Sequence, residues 1–281
     1  MKRKDKNDYR TALIDTIGVP VEQGVVTTDS IRTSYLSAGC GNPVICLHGA
    51  GAGAVTWYPS IGAISKKFHV LAADIVGYGE SDKPNAPYDR PYFSNWLKGF
   101  LIEMKIAKAH IVGLSQGGAI ALQFAIDNPQ MVDKLVLVDS GGLGAKVSFW
   151  PLFGTVWMNS FPSSLANHFN SPYILHNPEN RDPNHSLYSV AVIKSVGGKN
   201  AFKQGRGSAV SKIPEKLLGQ IKNETLIIWG KEDKFFSVEN GEVAAKIIPN
   251  ARFELIQDAG HLPLMDQQEI FNKILLDFLT K

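Results

Sequence analysis

Short runs rich in valine, isoleucine and leucine recur along the chain at residues 43–47, 69–73, 110–114, 134–138, 225–229 and 252–256. Each is too short for a helix and nearly unbroken in apolar character, which predicts parallel strands covered on both faces. Between most of them lie stretches whose apolar positions repeat at three- and four-residue steps: 96–104, 117–126, 238–248 and 267–279. In the last, Ile270, Ile274, Leu275 and Phe278 mark one helical face. Upstream, residues 23–28 and 31–38 read as two strands meeting across Asp29-Ser30, a hairpin-like opening. Alternation of this kind predicts an α/β sheet with right-handed crossovers.

The rhythm lapses between about Gly141 and Lys222, where Pro, Asn, Ser and aromatic residues (Phe149, Trp150, Phe153, Trp157, Phe161, Phe169, Tyr173, Tyr188) take over. Roughly 80 residues then separate two neighbouring strands, far more than a crossover needs, which predicts an inserted subdomain. The expected organisation is an N-terminal tail over 1–22, a core over 23–140 and 223–281, and an insertion over 141–222. Seven charges in the first ten residues (Lys2, Arg3, Lys4, Asp5, Lys6, Asp8, Arg10) read as a solvated tail.

Composition narrows the class. With 281 residues, 44% hydrophobic and 20% charged, the chain can bury a large core, so it is neither disordered nor fibrous. Twenty-nine basic against 26 acidic residues leave +3, too small and too scattered for a nucleic-acid surface. Cys40 and Cys46 make no disulfide framework and lack metal-type spacing; Cys46, inside an apolar run, reads as an inert core thiol. No run of 18 apolar residues exists, and the basic start leads into polar residues rather than a signal-peptide core. The expectation is a cytoplasmic protein that binds neither nucleic acid nor membrane. The sequence says nothing of its oligomeric state.

The chemistry begins at Gly113-Leu114-Ser115-Gln116-Gly117, a Gly-x-Ser-x-Gly pattern directly after one strand and before an Ala/Gly-rich helix. A sharp strand-to-helix turn exposes the serine, and flanking glycines relieve the crowding there. A serine hydroxyl needs a base. Of seven histidines, His261 follows the last strand and so faces the crevice at the strands' carboxyl ends. His48 reads as a brace for the glycine-rich loop after it. His69 and His110 sit at strand starts, and His168, His176 and His185 fall in the insertion. The imidazole needs a carboxylate to orient it. Asp233, after the penultimate strand, is favoured; Asp139, after the strand before that, is the rival, and Glu232 points elsewhere. An oxyanion needs two donors. Gln116 N–H is one, and Ala50 N–H, or else Gly51, supplies the other from His48-Gly49-Ala50-Gly51-Ala52-Gly53. A phosphate cradle is disfavoured, since no Gly-Lys-Ser/Thr follows.

These motifs together resemble the α/β-hydrolase fold superfamily over residues 25–279, and Asp74 to Pro84 is similar to a loop that is mainly structural there. The resemblance implies a mostly parallel eight-stranded sheet flanked by helices, no metal or organic cofactor, and an insertion that acts as a lid. Gly49, Gly51, Trp57, Phe149, Trp157, Phe235 and Leu262 are the expected substrate contacts. The implied activity is hydrolysis of small to medium acyl or aryl esters, small-molecule substrates, by Ser115, His261 and Asp233. Residues 49–54 and 138–144 also resemble the meta-cleavage product hydrolases, which cut carbon–carbon bonds in dienone acids. Those enzymes usually carry Asn before the nucleophile and Trp after the histidine, where this chain has Leu114 and Leu262. They also use a lid arginine, for which Arg181 and Arg206 are the candidates. A ligand receptor on the same fold is the rival from outside catalysis.

Overall fold

Asp29 and Ser30 both take the left-handed backbone conformation, with φ of 48° and 64°. That geometry suits the tight turn that joins strand β1 (Glu22–Thr28) to its antiparallel partner β2 (Ile31–Ala38). The computed structural model describes residues 5–144, 148–205, 207 and 210–281. The strands that follow are β3 (Pro43–Leu47), β4 (His69–Ala73), β5 (Ala109–Leu114), β6 (Val132–Val138), β7 (Glu224–Gly230) and β8 (Ala251–Ile256). They form one eight-stranded sheet in the order β1-β2-β4-β3-β5-β6-β7-β8, in which only the pairings of β2 are antiparallel.

Alternate residues of each central strand enter different apolar layers, so both faces are covered. Ile45 and Leu47 pack with Phe93, Phe100 and Phe124, whereas Val44 and Cys46 pack with Trp57, Ile61 and Phe271. The Cys46 thiol is fully buried, and that burial raises its pKa, which keeps it from ionising. The helices that cover the sheet are α1 (Lys6–Asp15), α2 (Tyr58–Ile64), α3 (Arg90–Glu103) and α4 (Gln116–Asp127), then, after β7, α10 (Val238–Ile247), α11 (Pro263–Asp266) and α12 (Gln268–Leu279). Between β6 and β7 lie α5 (Phe149–Ser160), α6 (Ser164–Ile174), α7 (Pro183–Lys194), α8 (Asn200–Gly205) and α9 (Glu215–Leu218). The helix read from residue 96 starts earlier, because Asp89 caps it through the Tyr92 N–H and Pro91 fits its first turn.

The N-terminus corrects an expectation. Lys2, Arg3 and Lys4 lie outside the described residues, but from Asp5 onward the chain is not a solvated tail. Asp5 and Asp8 close a capping box that starts α1, and Leu13 and Arg10 are buried against the body. A charge run looks solvated in sequence because nothing there reveals a buried counter-charge. Arg10 finds one in Asp74, 64 residues away, at 2.9 Å.

The parallel strands end in register: Leu47 pairs with Gly113, Leu114 with Val138, Val138 with Ile228 and Gly230 with Ile256. The loops after β3, β5, β6, β7 and β8 therefore emerge along one edge, the edge where such sheets bind ligands.

Candidate active site

Ser115 stands between β5 and α4 with φ 55° and ψ −115°, a strained conformation for a residue with a side chain. Its N–H donates to Val138 O at 2.8 Å, and its carbonyl accepts from Gly118 and Gly141. The turn is possible because its neighbours lack side chains. A Cβ at Gly113 would strike the Gly117 carbonyl, and one at Gly117 would strike the carbonyl of Leu47.

The loops after β7 and β8 bring Asp233 and His261 to this serine. His261 Nε2 lies 2.9 Å from Ser115 Oγ, and Nδ1 lies 2.8 Å from Asp233 Oδ2. A carboxylate only accepts, so Nδ1 carries the hydrogen and Nε2 is left free to receive the serine proton. Asp233 is itself held, since its Oδ1 accepts from the N–H groups of Phe235 and Phe236 at 2.7 and 3.2 Å. The rings of those two residues pack against the imidazole at 5.0 and 5.3 Å. Asp266 braces the other side of the loop, accepting from Gly260 N–H and, in the bend that follows α6, from the N–H groups of His176 and Asn177.

The structure brings Asp139 to the same place. Fully buried, it accepts from Gly230 N–H at 2.9 Å, and it sits beside Asp233 within the same cluster as His261. Burial, and then repulsion from Asp233, raise the pKa of Asp139 well above the usual carboxylate range, which favours its neutral form, while Asp233 faces the histidine. Asp139, Asp233 and His261 are the one group of three potential metal ligands among the described residues, and the hydrogen bonds of the histidine already use both its nitrogens.

Across from the serine runs the loop after β3. Gln116 is the first residue of α4, so its N–H has no acceptor within the helix. Ala50 and Gln116 both border the cavity beside Ser115. His48 braces this loop: Nδ1–H donates to Gly49 O at 2.7 Å, and Nε2 accepts from Ile75 N–H at 3.0 Å. Burial lowers its pKa, in keeping with that neutral form. Asp74 holds the loop from below by accepting from Ala54 N–H at 2.7 Å. Burial alone would raise the Asp74 pKa, but Arg10 and backbone donors overcome this and lower it. Arg10 also donates to Tyr188 of α7 at 3.2 Å, which ties α1, the loop and the inserted helices together.

The cavity beside Ser115 measures about 300 Å³ and is walled mainly by apolar groups. Of the expected contacts, Gly49, Gly51, Phe235 and Leu262 line it. Trp57, Phe149 and Trp157 do not. Trp57 is fully buried in the layer beneath, against Phe271. Phe149 is 69% exposed, and Trp157 packs at a tilt within an aromatic cluster with Phe153 and Phe169. An aromatic residue in a loop-rich stretch carries no mark of which way its helix will turn it. Arg181 does border the cavity, where its guanidinium donates to His185 Nδ1 at 2.8 Å, Asn167 Oδ1 at 3.0 Å and Ser189 Oγ at 3.4 Å. Burial pushes its pKa down to about 10. His185, which accepts from Arg181, lies beside Thr56 Oγ1 at 3.1 Å; burial, then Arg181, keep its pKa well below the usual histidine range. Arg206, the other arginine considered, lies outside the described residues.

The sequence profile of the α/β hydrolase fold family matches residues 42–268. The chain belongs to that family. This α/β hydrolase is 28% identical to the 2-hydroxy-6-oxo-6-phenylhexa-2,4-dienoate hydrolase of Comamonas testosteroni, over 88% of this chain and 91% of that one. A meta-cleavage product hydrolase of Pseudomonas fluorescens superposes with a TM-score of 0.83 at 25% identity, covering 92% and 97% of the two chains. The carboxylesterase CesB of Bacillus subtilis superposes with a TM-score of 0.88 at 23% identity, covering 98% and 96%, a likeness of fold.

In this hydrolase several residues near the site escape a reading of the sequence. Asp266, Phe236 and the group of His185 with Asn167 belong to no motif. Arg10 was hidden in a charge run. Asp74 is visible only as part of a loop whose buried partner lies elsewhere.

Proposed function

We propose that this α/β hydrolase cleaves carboxylic esters of small to medium acyl or aryl groups through an acyl-enzyme. The observation that carries the reading is the hydrogen-bonded chain Ser115–His261–Asp233 opening into a largely apolar cavity. Ser115 Oγ attacks the carbonyl carbon as His261 Nε2 takes its proton, and Asp233 stabilises the imidazolium. The oxyanion accepts from the N–H groups of Gln116 and Ala50, each worth roughly 3–4 kcal/mol at the transition state. His261 then gives its proton to the leaving alcohol, and water repeats the sequence on the acyl-enzyme. Residues 141–222 act as the lid, with α5 and α7 supplying the wall opposite the serine.

A second reading has its own support. Arg181 is buried at the cavity without a carboxylate partner among the described residues, and an unpaired buried cation favours a substrate anion. That suits a dienone acid, cleaved at a carbon–carbon bond by the same serine. The test is kcat/KM on p-nitrophenyl butyrate and on a 2-hydroxy-6-oxo-dienoate, for the wild type beside Ser115→Ala. Ester turnover abolished in the variant supports the first reading. Faster cleavage of the dienoate supports the second, and ester turnover surviving in Ser115→Ala overturns the mechanism.

A further inference from the structure

Residues 149–178 contain no Asp, Glu, Lys or Arg, although they form two helices on the outside of the molecule. The two sides of α5 serve different surroundings. Leu152, Thr155, Met158 and Asn159 border the cavity. Phe149, Trp150, Phe153 and Val156 stand in solvent, and Phe161 and Leu165 extend the same apolar character into α6, with Phe161 74% exposed. The rings touch in a continuous series: Phe149 to Trp150 at 5.2 Å, Trp150 to Phe153 at 6.3 Å and Phe153 to Phe169 at 5.7 Å. Scattered apolar side chains on a surface need no account, but a contiguous aromatic patch free of charge does.

Charge returns on either side of this stretch, with the exposed Glu179 directly after it and lysines beside the end of α5. Lys194, Lys199 and Lys203 are exposed or half-exposed, and Lys199 Nζ reaches the Ser160 carbonyl at the end of α5, 2.7 Å away. From residue 183 to 214 the sequence has no acidic residue at all. This arrangement discriminates between occupants. A second copy would meet the patch with the same patch, as isologous contacts require, which covers the aromatics but, with no Asp or Glu over residues 149–178, supplies no anion for the lysines. An anionic amphiphile surface satisfies both parts, taking the aromatics into its apolar boundary and the lysines onto its headgroups.

We propose that the outer face of α5 and α6 is a docking surface for anionic lipid membranes. The contact is peripheral, since no helix among the described residues is long and apolar enough to cross a membrane. Leu152 and Phe202 are exposed and also border the cavity, so the docked face is continuous with the route to Ser115. The docking concerns a face outside the cavity and is read by binding, so failure on esters would leave it standing.

The experiment is flotation of the full chain with vesicles of phosphatidylcholine alone or mixed with phosphatidylglycerol, beside sedimentation velocity of the free protein. The expected result is a monomer that floats with the anionic vesicles, less with the neutral ones and less as salt rises. Phe149→Ser/Trp150→Ser should lower binding about tenfold or more, by loss of apolar area. Lys194→Gln/Lys199→Gln/Lys203→Gln should lower it about tenfold on anionic vesicles alone. Both variants should keep the melting temperature of the wild type. If the aromatic pair does not fold, Phe161→Ser carries the same prediction. A chain that floats with neither vesicle overturns the proposal. So does a dimer that Phe149→Ser/Trp150→Ser converts to monomer, which would give the face to a second copy.

Discussion

The two walls of the cavity are built in opposite ways. On the sheet side the polar groups follow the ends of strands, and backbone donors or carbonyls hold the serine and the aspartate: Val138 O takes the Ser115 N–H, and Phe235 and Phe236 N–H groups hold Asp233. On the helical side the polar groups are side chains holding other side chains, with Arg181 leaning on His185, Asn167 and Ser189. Backbone-held geometry follows from the fold and tolerates little change. Side-chain geometry can be rewritten one residue at a time, which suits the first wall to the proposed chemistry and the second to choosing substrates.

Substitutions on each wall, and on the tie between them, break or sharpen that contrast. The largest effect belongs to the sheet wall: Ser115→Ala should lower kcat on p-nitrophenyl butyrate by about four to six orders of magnitude, with an unchanged melting curve. Next comes the tie. Arg10→Met leaves Asp74 buried without its partner, and urea unfolding should show a loss of about 3–5 kcal/mol. Because Asp74 carries the Ala54 end of the loop proposed to hold the oxyanion, kcat should fall more than KM rises.

On the helical wall the effect is smaller and selective. Arg181→Met should raise KM for a dienone acid about 10- to 100-fold, the scale of a hydrogen bond to a charge. KM for p-nitrophenyl butyrate should stay nearly constant, and an equal loss on both substrates would make Arg181 structural. The smallest effect returns to the sheet wall and depends on pH. Asp139 has its folded pKa raised by burial and by Asp233, so its contribution to stability is complete below the unfolded aspartate range and is lost as pH rises through the folded value. Asp139→Asn removes that titration. Thermal melts should find the variant more stable than wild type at neutral pH, with the gap closing in acid.

The hairpin, the strand rhythm and the serine turn were legible because each is local. Asp29-Ser30 needs only two residues in the left-handed region, and Gly113 and Gly117 clear space for one serine. The choice between Asp233 and Asp139 stayed open in sequence, since both follow strands next to one another. In three dimensions one faces the imidazole at 2.8 Å and the other is fully buried on the Gly230 N–H. The places of Trp57, Phe149 and Trp157 are not legible in sequence, because aromatic character is the same in a core, a cavity and a surface.

By itself the sequence determined the order of the eight strands and of the four helices between and after them at 96–104, 117–126, 238–248 and 267–279, the positions of the serine, the histidine and two possible carboxylates, and the uncharged stretch over residues 149–178. Those follow from periodicity, turn chemistry and composition, which act over a few residues. Only the tertiary structure decided that Arg10 is buried on Asp74, that Arg181 borders the cavity and that the aromatics of α5 face solvent. Each of these depends on which distant segment arrives beside which, and an ion pair 64 residues apart leaves no mark on either neighbourhood until the sheet has brought them together.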